Sequence, residues 1–243
     1  EGQAERILVP HFIRHRYKDL DRRYITLLEL GGAHAHRFKP LIETLGLTTL
    51  IIADVDSVSL AGSRWRAAAP HIGSGQKTSN EVLKTWHPAI EDLDTLMQLQ
   101  PSRHERRIDG QPVLYVSFQK PIDVATDGAM TTIIPRTFED AFVYANQTIV
   151  ASMGEEPLTK KIAALVAQFK DQPEVLADEM FELLKKAEKA AFALDILMHD
   201  PPKEIVPPAY ITDGLAWLDR ELAPATPLAP PQAEATVSKG ATT

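Results

Sequence analysis

Glu1, Glu5, Asp54 and Asp56 stand in two short segments, EGQAE and DVD, whose side chains suit a shared site. Glu1 and Glu5 are one helical turn apart, which puts them on one helix face or at its entrance. Asp54 and Asp56 close the apolar run TTLIIA, so they would leave the carboxyl end of a strand. Gathered in one crevice, such acids repel each other, and some are driven toward the protonated form unless a cation intervenes. Hard oxygen donors match Mg2+ or Mn2+, and a pair of such ions clamps a phosphodiester. Each motif alone also has a plainer reading, because Asp-x-Asp is common turn chemistry and an early Glu complements a helix dipole.

Periodicity predicts the elements that must carry these groups. Ala4, Ile7, Leu8 and Phe12 recur at helical spacing and predict a helix over 3–18. The run YITLLEL at 24–30, closed by Gly31-Gly32, predicts a strand buried on both faces. Phe38, Leu41, Ile42 and Leu45 predict a helix stopped by Gly46, followed by a strand over 48–53. This order predicts an α/β fold, a parallel sheet flanked by helices, with ligands at the carboxyl ends of the strands. Glu1 would lie there too if a strand precedes it.

Farther along, a short helix is expected near 90–99 and strands at 113–118 and 132–134, after which the chain is mostly helical to about 222. Leu176, Met180, Leu183, Leu184, Ala187, Ala191, Leu194 and Met198 predict one long amphipathic helix, with Lys185, Lys186 and Lys189 off its apolar face. The expected organisation is a catalytic core over 1–135, a helical subdomain over 136–188, helices returning to the core over 189–222, and a Pro/Ala/Thr-rich disordered tail over 223–243.

Composition narrows the class. With 243 residues, 44% hydrophobic and 24% charged, the chain reads as an ordinary folded protein. The absence of cysteine excludes a disulfide framework and thiolate metal sites, and is consistent with a reducing cytoplasmic home. No apolar run approaches the ~20 residues that span a bilayer. A net charge of −7 argues against gripping nucleic acid by bulk electrostatics, although a bound pair of divalent ions would supply local attraction. The first residue is Glu rather than Met, so the sequence is expected to be a piece of something longer.

E-G-x-x-E opening a helix, followed by an apolar strand ending in D-V-D, resembles a Toprim catalytic domain. EGQAERILVP, LLELGGAHAHRFKPLIETLGL, IIADVDSV and RTFEDAFVYAN more closely resemble the C-terminal nuclease region of class 2 OLD-family (overcoming lysogenization defect) endonucleases, over most of residues 1–222. The resemblance implies a two-metal nuclease acting on DNA, with Glu1, Glu5, Asp54 and Asp56 binding Mg2+ or Mn2+. It further implies a late acidic metal ligand and a lysine acting on the phosphate, for which Glu139 and Lys189 are the nearest matches. The family's N-terminal ATPase domain is absent from this chain and is the expected intramolecular partner; any homodimer would form through regions not present here.

Thr137-Phe-Glu-Asp140 also reads as a capping box, which would place acids at a helix start regardless of function. Lys161, Lys185 and Lys186 rival Lys189. The segment Gly73-Ser-Gly-Gln-Lys77-Thr78 lacks the glycines of a phosphate loop and is not read as one. His11 and His15 lack the Glu of a zinc-protease motif, and His34 and His36 read as capping and solvated side chains. One alternative is a haloacid-dehalogenase-like phosphatase with Asp54 as nucleophile, since LIIADVDSV fits its motif. Another is a catalytically silent Toprim-like docking module.

Overall fold

The computed structural model describes residues 2–31, 34–126, 128–153, 156–185, 187, 189–198 and 205–223. Glu1, Lys186 and the expected tail beyond Ala223 lie outside them. The helices are α1 (Gln3–Arg16), α2 (Lys18–Asp21), α3 (Lys39–Leu45), α4 (Leu93–Met97), α5 (Phe138–Ala145), α6 (Gln147–Ser152), α7 (Pro157–Phe169), α8 (Pro173–Leu184), α9 (Lys189–Met198) and α10 (Ala209–Glu221). The strands are β1 (Thr49–Ile52), β2 (Ser57–Ala61), β3 (Arg64–Ala67), β4 (Lys77–Thr78), β5 (Glu105–Ile108), β6 (Gln111–Ser117), β7 (Ile122–Thr126) and β8 (Ala129–Ile133).

The class is α/β, as expected, but the sheet is mixed. β1 and β6 pair in parallel, and β5 pairs antiparallel on the far side of β6. A second sheet, in the order β3-β2-β4, is antiparallel, and β7 and β8 form a hairpin. Helix α10 packs on β1 and β6, while α1 packs along α9. The larger core joins Leu8, Phe12, Phe142, Phe192, Tyr210 and Trp217; a smaller one lies under Ile51, Val55, Leu83 and Phe118.

Two expected elements come out differently. The apolar run 24–30 is not a strand. In the three-stranded sheet β1 is an edge strand bonded to β6, so the run forms no ladder with it; Ile25 and Leu27 pack on the core while Tyr24 and Leu28 face solvent. With α1, β1 and α10 it borders a cavity of about 450 Å3. The long helix expected from Leu176 to Met198 is instead two, α8 and α9. A straight helix could not put Leu176 and Met180 against α5 and α7 and also lay Phe192 and Ile196 along α1. Packing overrides a run of good helix formers here.

Candidate active site

Helix α1 brings Glu5 to the site from its first turn. Gly2 precedes it at the N-cap, where a Cβ would lie 3.0 Å from Glu5 Oε2. The small residue therefore lets the carboxylate fold back over the helix start. Glu5 is buried, and burial, then the negative charges of Asp54 and Glu139, push its pKa up to about 7.

Asp54 follows β1 and is held in place by amides. Gln119 Nε2 donates to Asp54 Oδ1 at 2.6 Å, and Asn80 Nδ2 donates to the Asp54 carbonyl at 2.9 Å. The Gln119 carbonyl oxygen accepts from Val55 N at 2.8 Å, and its amide also reaches Tyr210 Oη at 3.2 Å. Gln119 and Tyr210, both buried, were not picked out by sequence reasoning. An isolated Gln after a strand and a Tyr beside a helix start carry no motif, so only the fold could reveal them.

Asp56 turns the chain from β1 into β2 with φ 47°, a left-handed conformation that Asp tolerates better than most residues. Its carbonyl accepts from Ser79 N at 3.0 Å and Ser79 Oγ at 2.9 Å. Its carboxylate pairs with Arg136 Nη2 at 3.2 Å.

Glu139 sits in the first turn of α5, almost fully buried. Glu139 Oε2 accepts from Lys189 Nζ at 2.8 Å and from Thr137 Oγ1 at 2.9 Å. The other oxygen, Oε1, has no hydrogen-bond partner among the described residues. The expected capping box is present: the Thr137 side chain accepts from the Asp140 backbone N–H and Asp140 Oδ2 accepts from Thr137 N, as well as from Arg136 N, while the Thr137 hydroxyl donates to Glu139. Burial, then the charge of Glu139, push Asp140 up to about 7.

Lys189 opens α9. Burial pulls its ammonium toward deprotonation, but Glu139, Asp54 and Glu5 outweigh that and hold its pKa above the ordinary lysine value. Tyr210 is likewise raised, by burial and then by Asp54, Glu5 and Glu139. Glu5, Asp54, Glu139, Lys189 and Tyr210 therefore share one electrostatic neighbourhood. The rival lysines lie elsewhere: Lys185 pairs with Glu182 at 2.5 Å, and Lys161 is exposed on α7. His11 and His15 pack ring to ring at 4.4 Å on α1, and His34 and His36 at 6.3 Å. Gln76 is a buried cross-link to Ala69 O and His71 N.

Among the described residues, no three His, Asp or Glu side chains are already gathered as a metal centre. The donor set nonetheless suits a hard cation. Glu139 Oε1 lacks a hydrogen-bond partner among the described residues, and Glu5 is driven toward protonation by burial and then by the charges of Asp54 and Glu139. Both are relieved by positive charge in the space between them.

Residues 1–56 match the family described as overcoming lysogenization defect protein-like, TOPRIM domain. Over 231 residues, 91% of this chain, the sequence is 26% identical to Endonuclease GajA of Bacillus cereus (strain HuB5-5). The chain spans 31% of that relative's length. No solved structure matches. The likeness to OLD-family nucleases read from the sequence is thus borne out, and it indicates a nuclease family.

Proposed function

We propose that this chain is the phosphodiester-cleaving portion of a DNA endonuclease. One observation carries the reading: four separate segments converge, with Lys189 Nζ 2.8 Å from Glu139 and the charges of Asp54 and Glu139 bearing on both Glu5 and Lys189. A stable fold gains nothing from gathering buried acids unless something positive is to be held among them.

Glu5, Asp54, Asp56 and Glu139 would hold Mg2+ or Mn2+, with Glu1 as a further ligand just ahead of α1. Two such ions, when bound, polarise the phosphodiester and lower the pKa of the attacking water. Gln119 orients Asp54 by its hydrogen bond to Oδ1. Glu139 holds Lys189 so that its ammonium faces the acidic crevice, where it neutralises charge growing on the phosphate. Arg136 keeps Asp56 from turning into solvent. DNA is the proposed substrate, and an N-terminal ATPase domain of the longer protein the proposed partner. No described helix is long and apolar enough to cross a membrane.

The test is incubation of supercoiled plasmid with Mg2+, Mn2+ or Ca2+, comparing the chain with Asp54→Ala and Glu5→Ala. Cleavage that depends on metal and is lost in both variants is expected. Undiminished cleavage by both overturns the assignment. Hydrolysis of a small phosphate ester without DNA cleavage points to the phosphatase chemistry of Asp54, and tight DNA binding with neither activity to a docking module.

A further inference from the structure

The hairpin formed by β2 and β3 grows directly from the candidate site. β2 begins at Ser57, the residue after Asp56, and pairs with β4, whose neighbour Ser79 holds the Asp56 carbonyl. β3 is an edge strand, bonded to β2 alone, and all four of its residues, Arg64, Trp65, Arg66 and Ala67, are exposed. The register places Arg64 opposite Ala61 and Arg66 opposite Ser59, so both guanidinium groups stand on one face. Trp65 lies opposite Leu60 on the other face, where Lys77 Nζ sits 5.1 Å from its ring centroid and leaves it 43% exposed.

Charge gives this arrangement its meaning. Several cations elsewhere pair with acids, as in Lys77 with Glu91, Arg106 with Glu43 and Lys120 with Asp213. Arg64 and Arg66 have no ion-pair or hydrogen-bond partner among the described residues. In a chain of net charge −7, a projecting hairpin with two unpaired guanidinium groups on one face and an exposed indole on the other is suited to a nucleic-acid strand that wraps its edge. Residues two apart on a strand are separated by ~6.6 Å, within reach of neighbouring phosphates, and a five-residue strand reaches ~17 Å from its base.

We propose that the β2–β3 hairpin is a DNA-gripping arm of this site, with Arg64 and Arg66 on the phosphates beside the cut and Trp65 against an unstacked base. The proposal rests on the nuclease reading for its choice of substrate. The plainer role for the arginines is to keep an exposed strand edge from pairing with other chains. That role affects aggregation and leaves the salt dependence of DNA binding unchanged.

The experiment is fluorescence anisotropy of the whole chain with labelled single-stranded and duplex DNA in Ca2+, at salt from ~50 to ~200 mM. Arg64→Ala/Arg66→Ala should make the slope of log affinity against log salt shallower by about 1.4 on single strands. Trp65→Ala should weaken single-strand binding about tenfold or more, with Trp65→Phe recovering part of it. Lys160→Ala/Lys161→Ala on α7 removes the same charge and should leave the slope unchanged. An unchanged slope in the hairpin double variant, an equal change in the α7 variant, or no salt-dependent DNA binding by the parent chain overturns the arm. Asp54→Ala separates the two readings: it should fail to cut, and adding Arg64→Ala/Arg66→Ala to it should still make its own salt slope shallower by about 1.4. Retained cutting by Asp54→Ala would count against the catalytic assignment and leave the hairpin result standing.

Discussion

Lys189 Nζ lies 2.8 Å from Glu139 Oε2, joining the first turn of α9 to the first turn of α5. Glu139 is 1% exposed and Lys189 32%, so the pair is sunk on the acidic side and open on the basic side. Removing the lysine leaves a buried carboxylate uncompensated. Lys189→Ala should therefore destabilise the metal-free protein, by less than the ~3–5 kcal/mol typical of a fully buried pair. Glu139→Gln should lose less, because Lys189 can turn to water. Urea titration of both variants checks the order; equal losses would mean the pair is not asymmetric.

Glu5 predicts a pH dependence of stability. Its pKa in the fold, about 7, exceeds the ordinary 4.5, chiefly through burial and then through Asp54 and Glu139. The folded state thus holds this proton more tightly than the unfolded state. Its contribution is fully present below pH 4.5 and is lost as the pH rises through about 7. Glu5→Gln should flatten that fall in melting temperature. Added Mn2+ should raise the melting temperature of the parent more at high pH than at low pH. A parent profile that does not fall across this window would show that Glu5 is not held protonated.

Gln119 ties Asp54 Oδ1, Val55 N and Tyr210 Oη together through a single side chain. Gln119→Ala orphans the buried Val55 N–H, at ~1–3 kcal/mol, and removes the hydrogen bond that Gln119 Nε2 donates to Asp54 Oδ1. Plasmid nicking should drop at least about tenfold while DNA binding in Ca2+ is kept, in line with the cost of a displaced positioning group. Gln119→Glu should be worse, since it sets a second carboxylate against Asp54. Activity within twofold of the parent in both variants would remove Gln119 from the site.

Gly214 lies one turn beyond Tyr210 on α10, where the helix meets the sheet. A Cβ there would come 2.8 Å from Leu50 Cδ1 and 3.2 Å from Ser117 Cβ. Alanine brings better helix propensity, ~1 kcal/mol, but overpacking costs ~1–3 kcal/mol. Gly214→Ala should be destabilising on balance and Gly214→Val clearly more so, as read by denaturant midpoint. A more stable Gly214→Val would mean that α10 does not press on β1 and β6 as closely as described.

The sequence alone determined the pieces whose cause is local. The 3-4 spacing through Leu8 and Phe12 made α1, and the apolar run ending in Asp54 made β1, so two of the acids and their α/β setting were legible from period and residue type. Glu139 and Lys189 could be named from resemblance, but their meeting depends on α8 and α9 being separate helices, which a continuous amphipathic pattern concealed. The run 24–30 failed as a strand for a related reason: a strand needs a partner's backbone, and no residue within the run can declare that it has one. Gln119, Tyr210 and Gly214 escaped notice because their roles come from atoms far away in the chain. Side-chain chemistry and periodicity are written residue by residue; contact and burial arise only when distant segments pack, and those decide which acids share a field.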